Sequence, residues 1–232
     1  TINKQPANQL SNLLVILVIN NKKNESKKII NNNYKTHQVL KKTIFRFEHI
    51  ILDYYSNKNA LPDNKAGVGI ARKIGMDFAL QFAYSNSLLF SLDADTLISK
   101  NYLTTISKVF KNRSIQACTI NFEHQFAKTK VLECAIREYE NELKNMALQI
   151  NNSGSPYGHV SLGSAIVCTA KAYIAVGGMS KKSATEDFYF LQSLAKFTKI
   201  HKINDVLVYP SSRDEKRVYL GTGVRLIEYK KN

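Results

Sequence analysis

The chain has 232 residues, 44% of them hydrophobic, and 33 Lys and Arg against 18 Asp and Glu give it a formal net charge of +15. That is enough apolar chain for one substantial core, so a single domain over residues 1–232 is expected. No apolar run reaches the roughly 18–20 residues of a membrane span, and no signal-peptide h-region opens the chain.

The excess positive charge draws the protein toward phosphorylated substrates or anionic membrane surfaces by long-range attraction. The three cysteines, Cys118, Cys134 and Cys168, are far apart and odd in number, which fits a reducing compartment rather than a disulfide framework. A cytoplasmic protein, peripheral to the inner face of a membrane, is the expectation. Aromatic residues fall at core-like positions instead of in a basic stacking pattern, so nucleic acid is not an expected partner.

In chain order, the apolar run at 13–19 reads as a buried strand ending at Asn20-Asn21, followed by a polar loop at 22–28 and a helix over 33–42. Ile70, Ile74, Phe78 and Phe82 recur every four positions and predict one buried helical stripe after Gly67-Val68-Gly69. A strand at 88–92 runs into Asp93-Ala94-Asp95. Then come a helix at 102–110, a strand at 115–120, a long charged helix at 130–148 and a loop at 151–158. A strand at 164–168, a helix closed by Gly177-Gly178, a helix from about Asp187 and a strand at 206–209 complete the pattern. Alternating strands and helices of this kind predict an α/β sandwich with a mostly parallel sheet.

Three segments carry chemistry. Asp93 and Asp95 stand at the C-terminal end of an apolar strand, where open α/β sheets bind ligands, and alternate residues of an extended chain point the same way. Two convergent carboxylates suit Mn²⁺ or Mg²⁺ bridged to a diphosphate; the same pattern also occurs in ordinary turns. Glu186 and Asp187 open a helix, where the dipole favours the ionised form a general base requires; Ser183-x-x-Glu186 reads equally as a capping box. Finally, Lys65, Arg72 and Lys73 surround a glycine-bearing helix start, a setting that favours phosphate oxygens.

In this order, Gly69-Ile70-Ala71-Arg72-Lys73-Ile74-Gly75, Leu89 to Asp95, Gly163-Ser164-Ala165, Gly177-Gly178-Met179 and Thr185-Glu186-Asp187 resemble the inverting glycosyltransferases of family 2. The resemblance implies a GT-A fold, a Rossmann-like three-layer α/β/α sandwich, and metal-assisted transfer from a UDP-, GDP- or dTDP-linked sugar. It implies that Asp93, Ala94 and Asp95 meet the diphosphate, with Asp95 and Asp93 on the metal, and that Asp187 is the base. Arg72 and Lys73 would lie near the nucleotide, with Gly163, Ser164 and Glu186 on the acceptor side. His201 is a candidate further metal ligand.

Two departures from the family stand out. No counterpart of its first strand precedes Leu13, which suggests a missing first strand. The acidic pair that ends its second strand and reads the nucleotide base falls here on Asn20-Asn21, so Asn20 becomes the base-reading candidate. The chain has no Trp and hence no Gln-x-x-Arg-Trp, which predicts single additions, to a glycan or lipid-linked acceptor in surface glycan synthesis. The segment from Tyr209 to Arg213, with Arg217 and Gly221-Thr222-Gly223 beyond, is either a loop closing its cations on the diphosphate or a solvated turn. Two alternatives stay open: a phosphatase of the haloacid dehalogenase type, whose nucleophile would be Asp93, and a degenerate, non-catalytic glycosyltransferase-like module.

Overall fold

A computed structural model describes residues 1–181 and 185–213. Its elements in order are α1 (Ala7–Leu10), β1 (Leu14–Asn20), α2 (Lys27–Lys42), β2 (Glu48–Tyr54), α3 (Val68–Ala79), β3 (Leu88–Phe90) and β4 (Leu97–Ile98). There follow α4 (Tyr102–Val109), β5 (Ala117–Phe122), α5 (Lys130–Asn152), β6 (Ile166–Thr169), α6 (Ala170–Ala175), α7 (Glu186–Phe197) and β7 (His201–Tyr209). Helices and strands thus alternate over most of the described chain, as an α/β fold requires. No helix among the described residues is long and apolar enough to cross a membrane.

The strand β2 has no counterpart in the sequence reading. It runs parallel to β1, from Leu14 opposite Glu48 to Asn20 opposite Tyr54, with α2 as the crossover. All but its first residue are half-buried, and its apolar run is only Ile50-Ile51-Leu52, so neither a continuous apolar stretch nor clean alternation marks it. The helix α2 starts at Lys27, within the stretch expected to be loop, because the Ser26 hydroxyl accepts the Ile29 N–H and caps it there.

The remaining strands form a curled five-stranded sheet in the order β3-β6-β5-β7-β4. Here β5 and β7 are parallel, whereas β3–β6, β5–β6 and β4–β7 are antiparallel. The expectation of a mostly parallel sheet therefore holds for β1–β2 and β5–β7 alone. Continuous apolar runs report burial on both faces; strand direction is set by the connections, and β6 returns between β3 and β5 after the long α5.

Both faces of this sheet are covered. On one, Tyr102, Leu103 and Ile106 of α4 pack with Cys118, Ile120, Phe122, Val167 and Leu207. On the other, Met76, Tyr173, Phe190 and Leu194 pack with Leu89, Ala117, Ile166 and Cys168. Alternate residues of β5 and β6 serve opposite cores, which is the period-two pattern of a central strand.

Candidate active site

The residue that organises the site is Arg72, and its direction is fixed by how α3 packs. The helix buries Gly69 and Met76 most deeply, while Ile70, Ile74 and Phe78 of the expected stripe are half-buried and Phe82, beyond the helix, is 54% exposed. Gly75 permits the close approach, since a Cβ there would stand 3.1 Å from Val18 of β1. Arg72 lies on the same face as Gly69 and Met76, three residues from one and four from the other, so a guanidinium is carried toward the core.

That guanidinium bridges two segments. One of its nitrogens bonds Asp93 Oδ1 at 2.6 Å and another bonds Glu186 Oε1, while the Arg72 side chain keeps 11% of its exposure and that of Glu186 4%. Gly163 is obligatory for this placement, because a Cβ built on it would lie 2.2 Å from the Arg72 guanidinium carbon. Burial works against the Arg72 charge, yet Asp93 and Glu186 outweigh it and hold the group above its ordinary range.

Ser164 is buried as well, and its hydroxyl accepts the Asp93 N–H at 3.1 Å and meets Thr96 Oγ1 at 3.3 Å. With the Thr96 N–H bonded to the Asp93 carbonyl, this fixes the turn that follows β3. Gly163, Ser164 and Glu186 are therefore buried supports of the carboxylate loop and of Arg72. The sequence expectation set them on the acceptor side; Ser164 and Glu186 are 1% and 3% exposed.

At the other end of the turn Ala94 is exposed and Asp95 is partly so. Asp95 Oδ2 is paired with Arg213, and its carbonyl accepts from Gln125 Nε2 at 2.8 Å. Asp187 follows Glu186 in the first turn of α7 and accepts the Phe188 N–H at 2.8 Å. Burial raises both carboxyls of this pair against the pull of Arg72. The residue that aims them, Thr185, is left-handed at φ 59, a conformation a β-branched side chain seldom takes and one that marks stored strain.

Gly177 and Gly178, at φ +77 and +78, close α6 as expected, and Gly178 leaves room for the Tyr173 ring. Lys73 points away from Asp93: it pairs with Asp77 at 3.0 Å and lines a separate hollow of about 420 Å³ with Gly177, Gly178 and Lys181. His201, the candidate further metal ligand, stands at the other end of its strand from the Asp95 turn. It is exposed at the start of the nine-residue β7, whose far end, Tyr209, pairs with Leu97 beside Asp95.

Asn20 ends β1 opposite Tyr54, and Asn21 is consumed structurally, bonding Lys22 O, Tyr55 O and Asn33. The acidic residue at a strand end here is Asp53 of β2, whose Oδ1 accepts the Tyr55 and Ser56 N–H groups. Burial opposes its charge, but those bonds hold its carboxyl below the ordinary range. Ser183, Arg217 and Gly221-Thr222-Gly223 lie outside the described residues.

No group of three or more His, Cys, Asp or Glu able to hold a metal occurs among the described residues. Asp93 and Asp95 offer two carboxylates, which suits a hard cation that takes its remaining oxygens from water and a diphosphate. Both carboxylates are already engaged by guanidinium groups, evidence that this loop demands positive charge.

No family model and no curated protein matches the chain. Solved structures do. Residues 1–349 of S. aureus TarS, in complex with UDP-GlcNAc, match with a TM-score of 0.59 at 14% identity, over 94% of this chain and 56% of that one. A mannosyltransferase from Pyrobaculum calidifontis, PcManGT in complex with GDP-Man and Mn²⁺, matches with a TM-score of 0.51 at 15% identity, over 94% and 52%. A further S. aureus TarS structure matches with a TM-score of 0.51 at 12% identity, over 99% and 39%. The chain thus spans about half or less of the length of these structures, and at such identities the likeness is one of fold alone.

Proposed function

We propose that this chain is the catalytic domain of an inverting, metal-assisted glycosyltransferase that takes its sugar from a nucleotide-sugar donor. The observation that carries the reading is the buried Arg72 bridge. It draws together Asp93 and Glu186, which stand 21 and 114 residues away in sequence, the same two acidic segments from which the family resemblance was read.

In this reading Asp95 and Asp93 hold Mn²⁺ or Mg²⁺ together with the donor diphosphate, and the cation supplies Lewis-acid stabilisation of the departing nucleoside diphosphate. Arg72 orients Asp93 and neutralises the buried Glu186. Asp187 takes the proton of the acceptor hydroxyl, whose oxygen attacks the anomeric carbon as the bond to the diphosphate breaks on the opposite face. Arg213, already on Asp95, supplies positive charge beside the diphosphate. Asp53, rather than Asn20-Asn21, takes the base-reading position, and Leu14–Asn20 takes the place of the family's first strand. UDP- and GDP-linked sugars, the kinds of ligand held by the matched structures, head the candidate donors.

The test is thermal denaturation with UDP, GDP or dTDP, each with and without Mn²⁺. Stabilisation that needs both nucleotide and cation, and is lost in Asp95→Asn, is the expected result. The same melting temperature in all conditions would remove the proposal.

A further inference from the structure

A second buried charged cluster lies beneath the carboxylate loop and has no part in the proposed chemistry. His124, 2% exposed, gives its backbone N–H to Glu140 Oε1 at 2.5 Å and sets its ring Nδ1 2.8 Å from the same atom. The Arg137 guanidinium bonds the His124 carbonyl at 2.8 Å and is itself paired with Glu133 and Glu140. These groups nail the stretch that leaves β5 to the side of α5.

The same stretch runs alongside the chain leaving β7. Glu123 N–H bonds Val208 O at 3.1 Å, Gln125 N–H bonds Pro210 O at 2.9 Å, and the Ser212 hydroxyl donates to Phe126 O at 3.2 Å. Between these rungs sits one carboxamide. Gln125 Nε2 donates to the Asp95 carbonyl and to the Tyr209 carbonyl, both at 2.8 Å, which spends both of its hydrogens.

We infer that Gln125 is a positioning residue: its carboxamide clamps the loop bearing Asp95 to the end of β7 at Tyr209, four residues before Arg213, so that carboxylate and guanidinium are delivered to the diphosphate in fixed register. The inference rests on the functional reading above only for its last clause. The clamp itself is a property of the free protein. Gln125 touches no reacting atom and acts through the backbone of two others, with α5 as the anchor that keeps it from moving.

The experiment is Gln125→Met, which keeps length and volume but has no donor. In the ligand-free protein, hydrogen exchange at the bonded amides of the two segments, Thr96 N–H on the Asp93 carbonyl and Gln125 N–H on the Pro210 carbonyl, should quicken about tenfold, the loss expected for two hydrogen bonds to partly solvated carbonyls. The β1 and β2 amides should not change. Unaltered exchange in both segments overturns the clamp. The affinity for UDP with Mn²⁺ should fall about tenfold in Gln125→Met, and by much less when the change is made in Arg213→Ala, because the register then has one partner fewer to set. Equal losses in both backgrounds would reduce Gln125 to a structural role. If the unaltered protein binds no nucleotide, the functional reading falls, and exchange alone decides the clamp.

Discussion

Replacing Arg72 by Met removes the cation that bridges Asp93 and Glu186 while keeping most of the side chain's volume. Asp93 is 37% exposed at its side chain and can turn to water; Glu186, at 4%, cannot. Taking one partner from a buried pair costs about 3–5 kcal/mol, because the charge left behind is uncompensated. For a chain of this size that is a fall of roughly 6–20 °C in melting temperature. Glu186 can escape the cost by taking a proton. Burial already pushes its carboxyl above the ordinary 4.5, and without Arg72 it must rise further. An acid whose folded pKa is raised favours the folded state near and below its unfolded value and weakens it as pH climbs past it. The deficit of Arg72→Met should therefore be largest at pH 8 and smaller at pH 5, and Arg72→Met/Glu186→Gln should recover at least half of it at pH 8. Melting curves of the three proteins at both pH values provide the measurement. An equal deficit at pH 5 and pH 8, or no recovery in the double variant, would refute the view that an orphaned Glu186 charge carries the cost.

Gly163→Ala would drive a methyl group into the Arg72 guanidinium, so a loss of several degrees in melting temperature and at least a hundredfold fall in transfer activity are expected, read by calorimetry and product analysis. Asp187→Asn should keep metal-dependent nucleotide binding and lower kcat by roughly 10²–10⁴-fold, as loss of a general base does. In the unaltered enzyme, kcat/KM should rise with pH through a transition above the ordinary aspartate value of 3.8, since burial raises Asp187. Glu140 has the opposite sign: burial opposes its charge, but the bonds from His124 and Arg137 hold its carboxyl below the ordinary 4.5. Its contribution is fully present above that value and lost as pH falls through the depressed one, so Glu140→Gln should flatten the acid limb of stability between pH 5 and pH 3 in urea titrations.

Several local signals were read correctly. Asp93-Ala94-Asp95 does follow an apolar strand, although the strand closes at Phe90 and the motif lies in the turn beyond it, Gly177-Gly178 does close a helix, and Glu186-Asp187 does open one, because turn and cap signals act over a few residues. The strand β2 escaped for the same kind of reason. It is half-buried along its length, and its three central apolar residues sit among charged and aromatic neighbours that blur the period.

The sequence by itself determined the α/β class, most of the element order and the two acidic segments, since each is encoded by short-range periodicity and chain punctuation. Only the tertiary structure decided which face of α3 turns inward, and with it that Arg72 meets Asp93 and Glu186 while Lys73, one residue on, pairs with Asp77. It likewise set His201 at the far end of β7 from Tyr209 and drew Asp95, Gln125 and Arg213 together across up to 118 residues of chain. Such contacts depend on strand direction and helix rotation, quantities fixed by how two cores fill on opposite sides of one sheet and carried by no local stretch of sequence.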